Sequence, residues 1–503
     1  MTTEREFKAG VAAGHAATAE AAVSILREGG NAYDAAIAGF LAACVAEPVL
    51  ASLGGGGFLV AHSPGSTPEV FDFFTETPLA RPDPGNVDFR PIDVDFGTTV
   101  QEFHIGMGAV ATPGAVAGIF DVHRALGRMP MTALVEPAIA LSKSGIVMNE
   151  FQAYLLGLVG PIYVASASAR AQFCKDGSDM LLAAGDRYHP AAFADFLDSL
   201  ANEGPALFYR GDVAARIADM DGVTIGRNDL SRYKVERRTP HRSRIAGHDV
   251  YLNPPPAIGG ALIDYMLREL DRSEIVPADA FGGGHTAALT RVMDACNRIR
   301  AESGIDRNPL AGAAAIAEAA SHPAAYRGTT HISVADRDGN MAALTVSNGE
   351  GCGHVVPGTG IMLNNMLGED DLNAVGFFNW PEGVRLSSMM TPGVLAAPDG
   401  ASTAFGSGGS NRIRTALTQV ILNLCLYGMS AGEAVKAPRL HLEGARLSVE
   451  PGLDTDQIDW PGDVQVWPAQ NMFFGGAHIV RRNAAGVIAG AGDPRRDGVF
   501  LGL

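Results

Sequence analysis

The stretch Gly328-Thr329-Thr330-His331-Ile332-Ser333-Val334-Ala335-Asp336 lies about two-thirds of the way along the 503-residue chain. Apolar and polar residues alternate after the two threonines, as in a β-strand, and Asp338-Gly339-Asn340 then supplies a turn signal. This is the pattern expected of a strand that has to begin with a hydroxyl nucleophile. If the chain were cut before Thr329, its freed α-amine, with a pKa near ~7.7–8.0, could act as the base. The pattern therefore predicts a precursor that cuts itself between Gly328 and Thr329.

The character of the sequence changes at this stretch. Residues 113–320 are mostly helical in pattern, with amphipathic segments such as Ala115–Leu126 and 285–303. Strand-like runs follow at 330–335, Met341–Ser347, 360–363, 447–450 and 478–481, with one helix at 412–427. Because no linker separates the helix-rich part from the strand-rich part, the sequence predicts interleaved layers of one domain.

The N-terminal region predicts two helices. Residues 16–28 form an alanine-rich first helix, closed by Gly29-Gly30. Asn31 is placed to cap the second helix, with Asp34 in its first turn. The apolar run 35–46 is too short to span a bilayer and predicts a buried helix.

Composition limits the expected partners and cofactors. The net charge is −17 without a basic run, so neither nucleic acid nor a membrane surface is expected as a partner. The five cysteines are widely spaced, which is typical of reduced thiols in a cytosol. The first ten residues lack the apolar run of a signal peptide. The histidines show no metal-ligand spacing, so we expect no metal and no cofactor. The cysteines and the N-terminal residues together predict a cytoplasmic protein.

Six ordered motifs resemble the γ-glutamyltransferases, members of the N-terminal-nucleophile hydrolase group, over nearly the whole chain. They are residues 29–36 with 47–48 and 54–58, residues 110–118, Phe208-Tyr209-Arg210-Gly211, residues 254–260, the threonine stretch through Asn340, and Asp493-Pro494-Arg495-Arg496-Asp497-Gly498. Six motifs in one order are far more specific than any one of them.

This resemblance implies an α/β (α+β) fold, a four-layer αββα sandwich that is made as a precursor and cut into two chains. The cut would leave a large subunit, residues 1–328, and a small subunit, residues 329–503. The two fragments would remain together as a heterodimer within one interleaved domain. The Thr329 hydroxyl would attack the preceding carbonyl, and water would then hydrolyse the resulting ester.

The same resemblance implies the catalytic residues. Thr329 is the nucleophile, and Ser347, where the family usually has threonine, places a second hydroxyl beside it. Residues 406–411 resemble the oxyanion loop, with donor amides at Gly409 and Ser410, each worth about 3–4 kcal/mol at the transition state. An alternative is a phosphate-cradling loop, although the GxxxxGK[ST] pattern is absent.

Substrate contacts are also implied. Ser387 and Ser388 resemble the serine pair that holds a glutamyl α-carboxylate. Asn364-Asn365 and Glu369 resemble the segment that holds the α-amine. The family asparagine after the second hydroxyl falls on Gly349, so Asn348, one place earlier, is expected to replace it. For the serine pair and the acidic segment, the alternative is a solvated loop.

One departure bears on the substrate. The family arginine for the α-carboxylate falls on Phe74. Losing a charge-assisted hydrogen bond of roughly 1.5–3 kcal/mol weakens binding about ten- to hundredfold. Phe74→Arg is therefore expected to improve turnover of a γ-glutamyl anilide. Arg81 is a nearby substitute or an ordinary surface arginine.

The sequence thus predicts a hydrolase or acyltransferase that acts through an acyl-enzyme on a small-molecule amide. A γ-glutamyl compound such as glutathione is the first expectation. Alternatives are an oxamate-like or other acyl amide, and a C–C bond hydrolysed during 4-alkylproline biosynthesis. An uncleaved relative that only binds its ligand is the non-enzymatic alternative.

Overall fold

The computed structural model describes residues 6–95, 100–273, 280–316, 328–373 and 375–503. A seven-stranded antiparallel sheet, here the first sheet, contains Thr329–Ala335, the nucleophile strand. Its strands lie in the order Val499–Gly502, Gly10–Ala13, Thr329–Ala335, Met341–Ser347, Gly56–His62, Glu69–Phe73 and Glu236–Arg238. Strands from before and after Gly328 therefore pair with each other within one sheet.

A second antiparallel sheet of six strands packs face to face on the first. Its order is Ile488–Ala491, Gly476–Arg482, Ser402–Gly408, Gly393–Ala396, His248–Leu252 and His241–Ile245. Small apolar side chains from both sheets form one buried cluster between them, namely Ala12, Val60, Val70, Ala335, Met341, Ala343, Val394, Ala404, Val480 and Ile488. Because successive side chains of a strand point to opposite faces of the sheet, these residues bury the inner face of each sheet.

Helices cover the outer face of each sheet. Ala16–Arg27, Ala32–Ala46 and Ala115–Leu126 pack on the first sheet, with Met131–Ser144 and Ala191–Glu203 behind them. Gly259–Arg272, Arg412–Cys425 and Ala431–Lys436 pack on the second sheet, and Gly283–Ser303 packs against Gly259–Arg272. Two stacked sheets between two helical layers make the predicted four-layer αββα sandwich, which is confirmed.

The remaining elements lie around this sandwich. The helices are Glu150–Leu158, Gly160–Tyr163, Ala167–Phe173, Ala206–Tyr209, Asp212–Ala218, Arg227–Arg232 and Pro309–Ile316. The smaller sheets pair Arg90–Asp95 with Val100–Ile105, Ile146–Val147 with Arg187–Tyr188, and Val355–Val356 with Ile361–Met362, and join Leu440–Glu443, Arg446–Val449 and Asp463–Val466. Among the described residues, no helix combines the length and the apolar character needed to cross a membrane.

The helix Ala32–Ala46 shows why the N-terminal prediction held. Every residue in it is buried, and Asn31 caps it in a capping box with Asp34. The Asp336 carboxylate, just beyond the nucleophile strand, accepts a hydrogen bond of 3.0 Å from the Ala32 amide. This contact ties the positive end of the helix to the turn that follows the nucleophile strand.

Candidate active site

Thr329 and Ser347 lie opposite each other at one end of the first sheet. Thr329 is the first residue of the nucleophile strand, and Ser347 is the last residue of Met341–Ser347, with which it pairs in antiparallel register. Residues directly opposite in such a pair present their side chains on the same face. Both residues are buried. The spacing of eighteen residues therefore brings the two hydroxyl-bearing residues together.

Gly328, the residue before the proposed cut, is held by one hydrogen bond at its carbonyl oxygen and one at its amide. Ser347 Oγ donates to the Gly328 carbonyl oxygen at 2.5 Å. The Gly328 amide donates to Glu350 Oε1 at 2.6 Å, a charge-assisted bond. A Cβ at position 328 would lie 2.6 Å from the Gly349 carbonyl oxygen, so a side chain does not fit. The carbonyl of Gly328 is thus polarised and fixed in place.

The second threonine has a different role. Thr330 Oγ1 donates to Glu47 Oε2 at 2.6 Å, and Thr18 donates to Glu47 Oε1 at 2.7 Å. Burial raises the pKa of Glu47, although these hydroxyl donors oppose the shift. Because Thr330 is committed to a buried carboxylate, the geometry favours Thr329 as the nucleophile of the pair.

The glycine-rich loop lies against Thr329. The strand Ser402–Gly408 ends there, and the backbone then turns through positive φ values, +126° at Gly409 and +54° at Ser410. A Cβ on Gly408 would lie 2.3 Å from the Thr329 carbonyl oxygen, so only glycine permits this approach. Within the described chain, no protein acceptor is recorded for the Gly409 or Ser410 amide. Two amide donors without a recorded acceptor therefore follow directly on the glycine that contacts the Thr329 carbonyl oxygen.

The segment after Ser347 meets the acidic segment predicted to hold an amine. Gly349 has φ +63°, and a Cβ there would lie 2.2 Å from Asn365 Oδ1 and 2.3 Å from Glu369 Oε1. The family asparagine therefore cannot occupy position 349. Asn348 donates to the Leu363 carbonyl at 3.3 Å, and its Oδ1 is buried without a partner among the described residues.

The two serines predicted to hold a carboxylate differ in availability. Ser388 Oγ accepts from the Met390 amide at 3.1 Å, so its lone pairs are partly used within its own turn. Ser387 Oγ is buried and, in the part of the chain that the structure describes, has no hydrogen-bond partner. Ser387 is therefore the more available hydroxyl of the pair.

A family model described as gamma-glutamyltranspeptidase matches residues 18–301 and 297–503. The chain belongs to the γ-glutamyltranspeptidase family. It is 30% identical to a glutathione hydrolase proenzyme of Escherichia coli strain K12, over 97% of this chain and 90% of that protein. It is 29% identical to an acylase ACY 1 proenzyme of Pseudomonas sp. strain V22, over 98% and 91% of the two chains.

Comparison with solved structures identifies the same fold. A crystal structure of cephalosporin acylase from Bacillus halodurans matches with a TM-score of 0.79 at 23% identity, over 100% of this chain and 97% of that one. The predicted membership in the γ-glutamyltranspeptidase family and its N-terminal-nucleophile hydrolase fold is confirmed. The chain is accordingly an enzyme of the hydrolase and acyltransferase type, and the two relatives named above are described as proenzymes.

Arg496 is a site residue to which the sequence analysis gave no role, although its motif helped to identify the γ-glutamyltranspeptidase family. Its buried guanidinium donates to the Thr329 carbonyl oxygen at 3.4 Å. It also borders the glycine loop, because a Cβ on Gly408 would lie 3.0 Å from its Nη1. Burial, with Arg412 nearby, lowers the pKa of Arg496 to about 10, so it remains charged at neutral pH.

Phe74, at the position of the family arginine, lies in an apolar environment. Its buried ring stacks on Phe58, with centroids 5.4 Å apart. Arg81 is exposed and donates to the Trp380 carbonyl at 3.2 Å, which is typical of a surface arginine. The nearby Arg385 is buried but paired with carboxylates, Glu76 at 3.2 Å and Asp72 at 3.5 Å. Its charge is therefore balanced within the protein.

Phe74→Arg should destabilise the protein, contrary to the improvement in turnover expected from the sequence. The substitution loses the stacking on Phe58 and places a guanidinium in a buried apolar cluster. An uncompensated buried charge costs about 3–5 kcal/mol. Thermal unfolding by circular dichroism measures the loss, and Phe74→Leu, which keeps the site apolar, should lose much less. A variant with wild-type stability and faster γ-glutamyl anilide hydrolysis would restore the earlier expectation.

Glu350→Gln should slow self-cleavage roughly tenfold, because the charge-assisted bond to the Gly328 amide becomes a neutral one, a loss of about 1–1.5 kcal/mol. Densitometry of the intact chain over time after expression measures this rate. Glu369→Gln is the matched control, since it removes a nearby buried carboxylate without touching Gly328. Equal rates in Glu350→Gln and wild type would contradict the role given to Glu350.

Proposed function

We propose that this chain is a precursor that cleaves itself between Gly328 and Thr329 and then hydrolyses, or transfers, the acyl group of a small amide. The contacts of Gly328 support this proposal most directly. Its carbonyl oxygen accepts from Ser347 Oγ at 2.5 Å, and its amide is held by Glu350. A carbonyl fixed and polarised beside a threonine hydroxyl is what self-cleavage requires.

Self-cleavage would proceed in two steps. In the first, Thr329 Oγ1 attacks the Gly328 carbonyl carbon, the peptide C–N bond breaks, and the hydroxyl proton passes to the nitrogen. The Gly328 acyl group is then an ester on Thr329. In the second step, water hydrolyses the ester, which leaves a carboxylate on Gly328 and restores the Thr329 hydroxyl beside the α-amine freed in the first step. The Ser347 hydroxyl stabilises charge on the carbonyl oxygen during the first step.

Turnover would use the same hydroxyl with the new amine as base. The Thr329 α-amine takes the hydroxyl proton, and the oxygen attacks the substrate carbonyl. The Gly409 and Ser410 amides would stabilise the oxyanion, at about 3–4 kcal/mol for each donor. The leaving amine receives a proton, and water or a second amine resolves the acyl-enzyme.

The first candidate substrate is a γ-glutamyl amide such as glutathione. Glu369 and Asn365 are buried beside Gly349, two residues from Ser347, and supply an acidic place for an α-amine. Ser387 supplies a buried hydroxyl for the carboxylate. The name of the Escherichia coli relative, a glutathione hydrolase, supports this candidate.

The second candidate is an amide whose acyl group has no α-carboxylate. Phe74 offers no charge, and Arg385 is already balanced by Glu76 and Asp72. The name of the Pseudomonas relative, an acylase, supports this candidate. In both cases we propose that the fragments 1–328 and 329–503 remain a heterodimer, because strands of the two fragments pair with each other in the first sheet. A cytoplasmic location is part of the proposal, supported by five free, buried cysteines.

Three anilides that differ by one group separate the candidates. Relative to γ-glutamyl anilide, 4-aminobutyryl anilide lacks the carboxylate and glutaryl anilide lacks the amine. With an acidic amine site and with Arg385 already paired with Glu76 and Asp72, removing the carboxylate should lower kcat/KM less than about tenfold, and removing the amine should lower it more than tenfold. Release of the aniline measures each rate. The reverse order would contradict the proposed recognition.

A further inference from the structure

A solvent-open cavity of about 470 Å³ is lined by none of the proposed catalytic or substrate-binding residues, although its wall residue Tyr233 donates to the Phe74 carbonyl oxygen at 2.6 Å. It is bordered by the helix Ala115–Leu126, the short helix Ala206–Tyr209, Ser231 and residues 233–235. The Tyr209 and Tyr233 rings, stacked with centroids 5.8 Å apart and planes 11° apart, are among its walls. Both tyrosines are largely buried, so they form a rigid base. The volume is within the usual range for small-molecule sites.

The charge of this cavity is opposite to that of the protein as a whole. The chain has a net charge of −17, yet Arg124, Arg210 and Lys234 line the cavity. The lining carboxylate, Asp121, is paired with Arg124 and, at 3.0 Å, with Arg237. Among the described residues, no ion pair is recorded for Arg210 or Lys234. The cavity therefore keeps a net positive charge.

Arg210 has a fixed backbone position. It belongs to the motif Phe208-Tyr209-Arg210-Gly211, in which Phe208 and Tyr209 are buried and Arg210 is exposed. The Tyr209 hydroxyl donates to the Pro113 carbonyl at 2.9 Å, and the Arg210 amide donates to the Ala206 carbonyl at 2.9 Å. These contacts anchor the backbone while leaving the guanidinium at the cavity. Acyl transfer at Thr329 gives this arginine no role.

We propose that the cavity binds a small dianion, a phosphate or a dicarboxylate, through Arg210 and Lys234. Guanidinium groups bind planar carboxylate or phosphate oxygens in a bidentate manner, and a lysine ammonium adds a mobile point charge. The tyrosine walls suit the apolar part of an organic anion. Because the cations are exposed, salt weakens the binding.

Isothermal titration calorimetry of the full chain at low ionic strength tests this site. The probes are inorganic phosphate and succinate, titrated separately. The double charge reversal Arg210→Glu with Lys234→Glu should weaken binding at least about tenfold, equivalent to about one lost charge-assisted contact. Arg232→Glu is the matched control, because this exposed arginine is two residues from Lys234 and does not line the cavity.

The two probes identify the anion class. Binding of both supports a general dianion site, and binding of only one assigns the site to phosphates or to dicarboxylates. The proposal fails if neither probe binds with a Kd below about 10 mM, or if Arg232→Glu weakens binding as much as the double variant. Thermal unfolding checks that each variant is folded. If the double variant does not fold, the same titrations are made with Arg210→Gln. Weaker binding by this variant than by the wild type supports the site, and unchanged binding contradicts it.

Discussion

Replacing Thr329 by alanine is expected to leave one intact chain of 52.4 kDa and to abolish amide hydrolysis. The substitution removes the oxygen that attacks Gly328, so no ester forms and no α-amine is freed. Loss of a nucleophile in hydrolases costs on the order of 10⁴-fold or more in kcat. Denaturing electrophoresis after incubation, with an anilide assay on the same sample, measures both effects.

Two controls make the Thr329 result specific. Thr329→Ser keeps a hydroxyl and should still give two bands, with slower cleavage. Thr330→Ala removes the neighbouring hydroxyl, which donates to Glu47, and should also give two bands. If Thr329→Ala is cut as fast as the wild type while Thr330→Ala stays intact, the nucleophile has been assigned to the wrong threonine.

Replacing Ser347 by alanine is expected to slow self-cleavage about 10²- to 10³-fold, the usual cost of removing one donor from a developing oxyanion. The reason is the 2.5 Å hydrogen bond from Ser347 Oγ to the Gly328 carbonyl oxygen. The half-time for loss of the intact band measures the effect. Ser347→Thr is the matched control, since it keeps the hydroxyl and should cleave within a few-fold of the wild type. Equal half-times for the alanine variant and the wild type would remove Ser347 from the mechanism.

Much of the fold could be predicted because its signals are local. The capping residues Asn31 and Asp34 and the apolar run after them predicted a buried helix, and Ala32–Ala46 is fully buried. The alternation after Thr329 predicted the nucleophile strand. The strands Gly393–Ala396 and Ser402–Gly408 were not predicted, because small and glycine-rich residues between the two sheets show little alternation. Their place depends on contacts with the opposite sheet.

The family resemblance placed Thr329 and Ser347 in the candidate site, and the structure brings the two residues together on one strand pair. The pairing of Thr329 with Ser347 follows from the length of the hairpin between them. The sequence analysis missed Glu350 and Arg496 because each contacts a residue from another segment of the chain. Glu350 follows Ser347 closely but bonds a residue from another segment, Gly328. Arg496 lies 167 positions from Thr329 and reaches it only through the fold. The available signal was the two adjacent arginines, Arg495 and Arg496, in the last of the six motifs.

Phe74 shows the limit of reasoning from one aligned position. The sequence indicated a missing arginine but not the environment that replaces it. In the structure, the ring stacks on Phe58, and Arg385 lies nearby with two carboxylates. A residue cannot be exchanged alone where its neighbours have adapted in this way.

The N-terminal residue of the smaller fragment tests the central claim most directly. Purified wild-type protein should give two bands on denaturing electrophoresis, and mass spectrometry with N-terminal sequencing should show that the smaller fragment begins at Thr329 and ends at Leu503. A single 52.4 kDa chain that persists on incubation, or a smaller fragment that begins at any other residue, would contradict cleavage between Gly328 and Thr329.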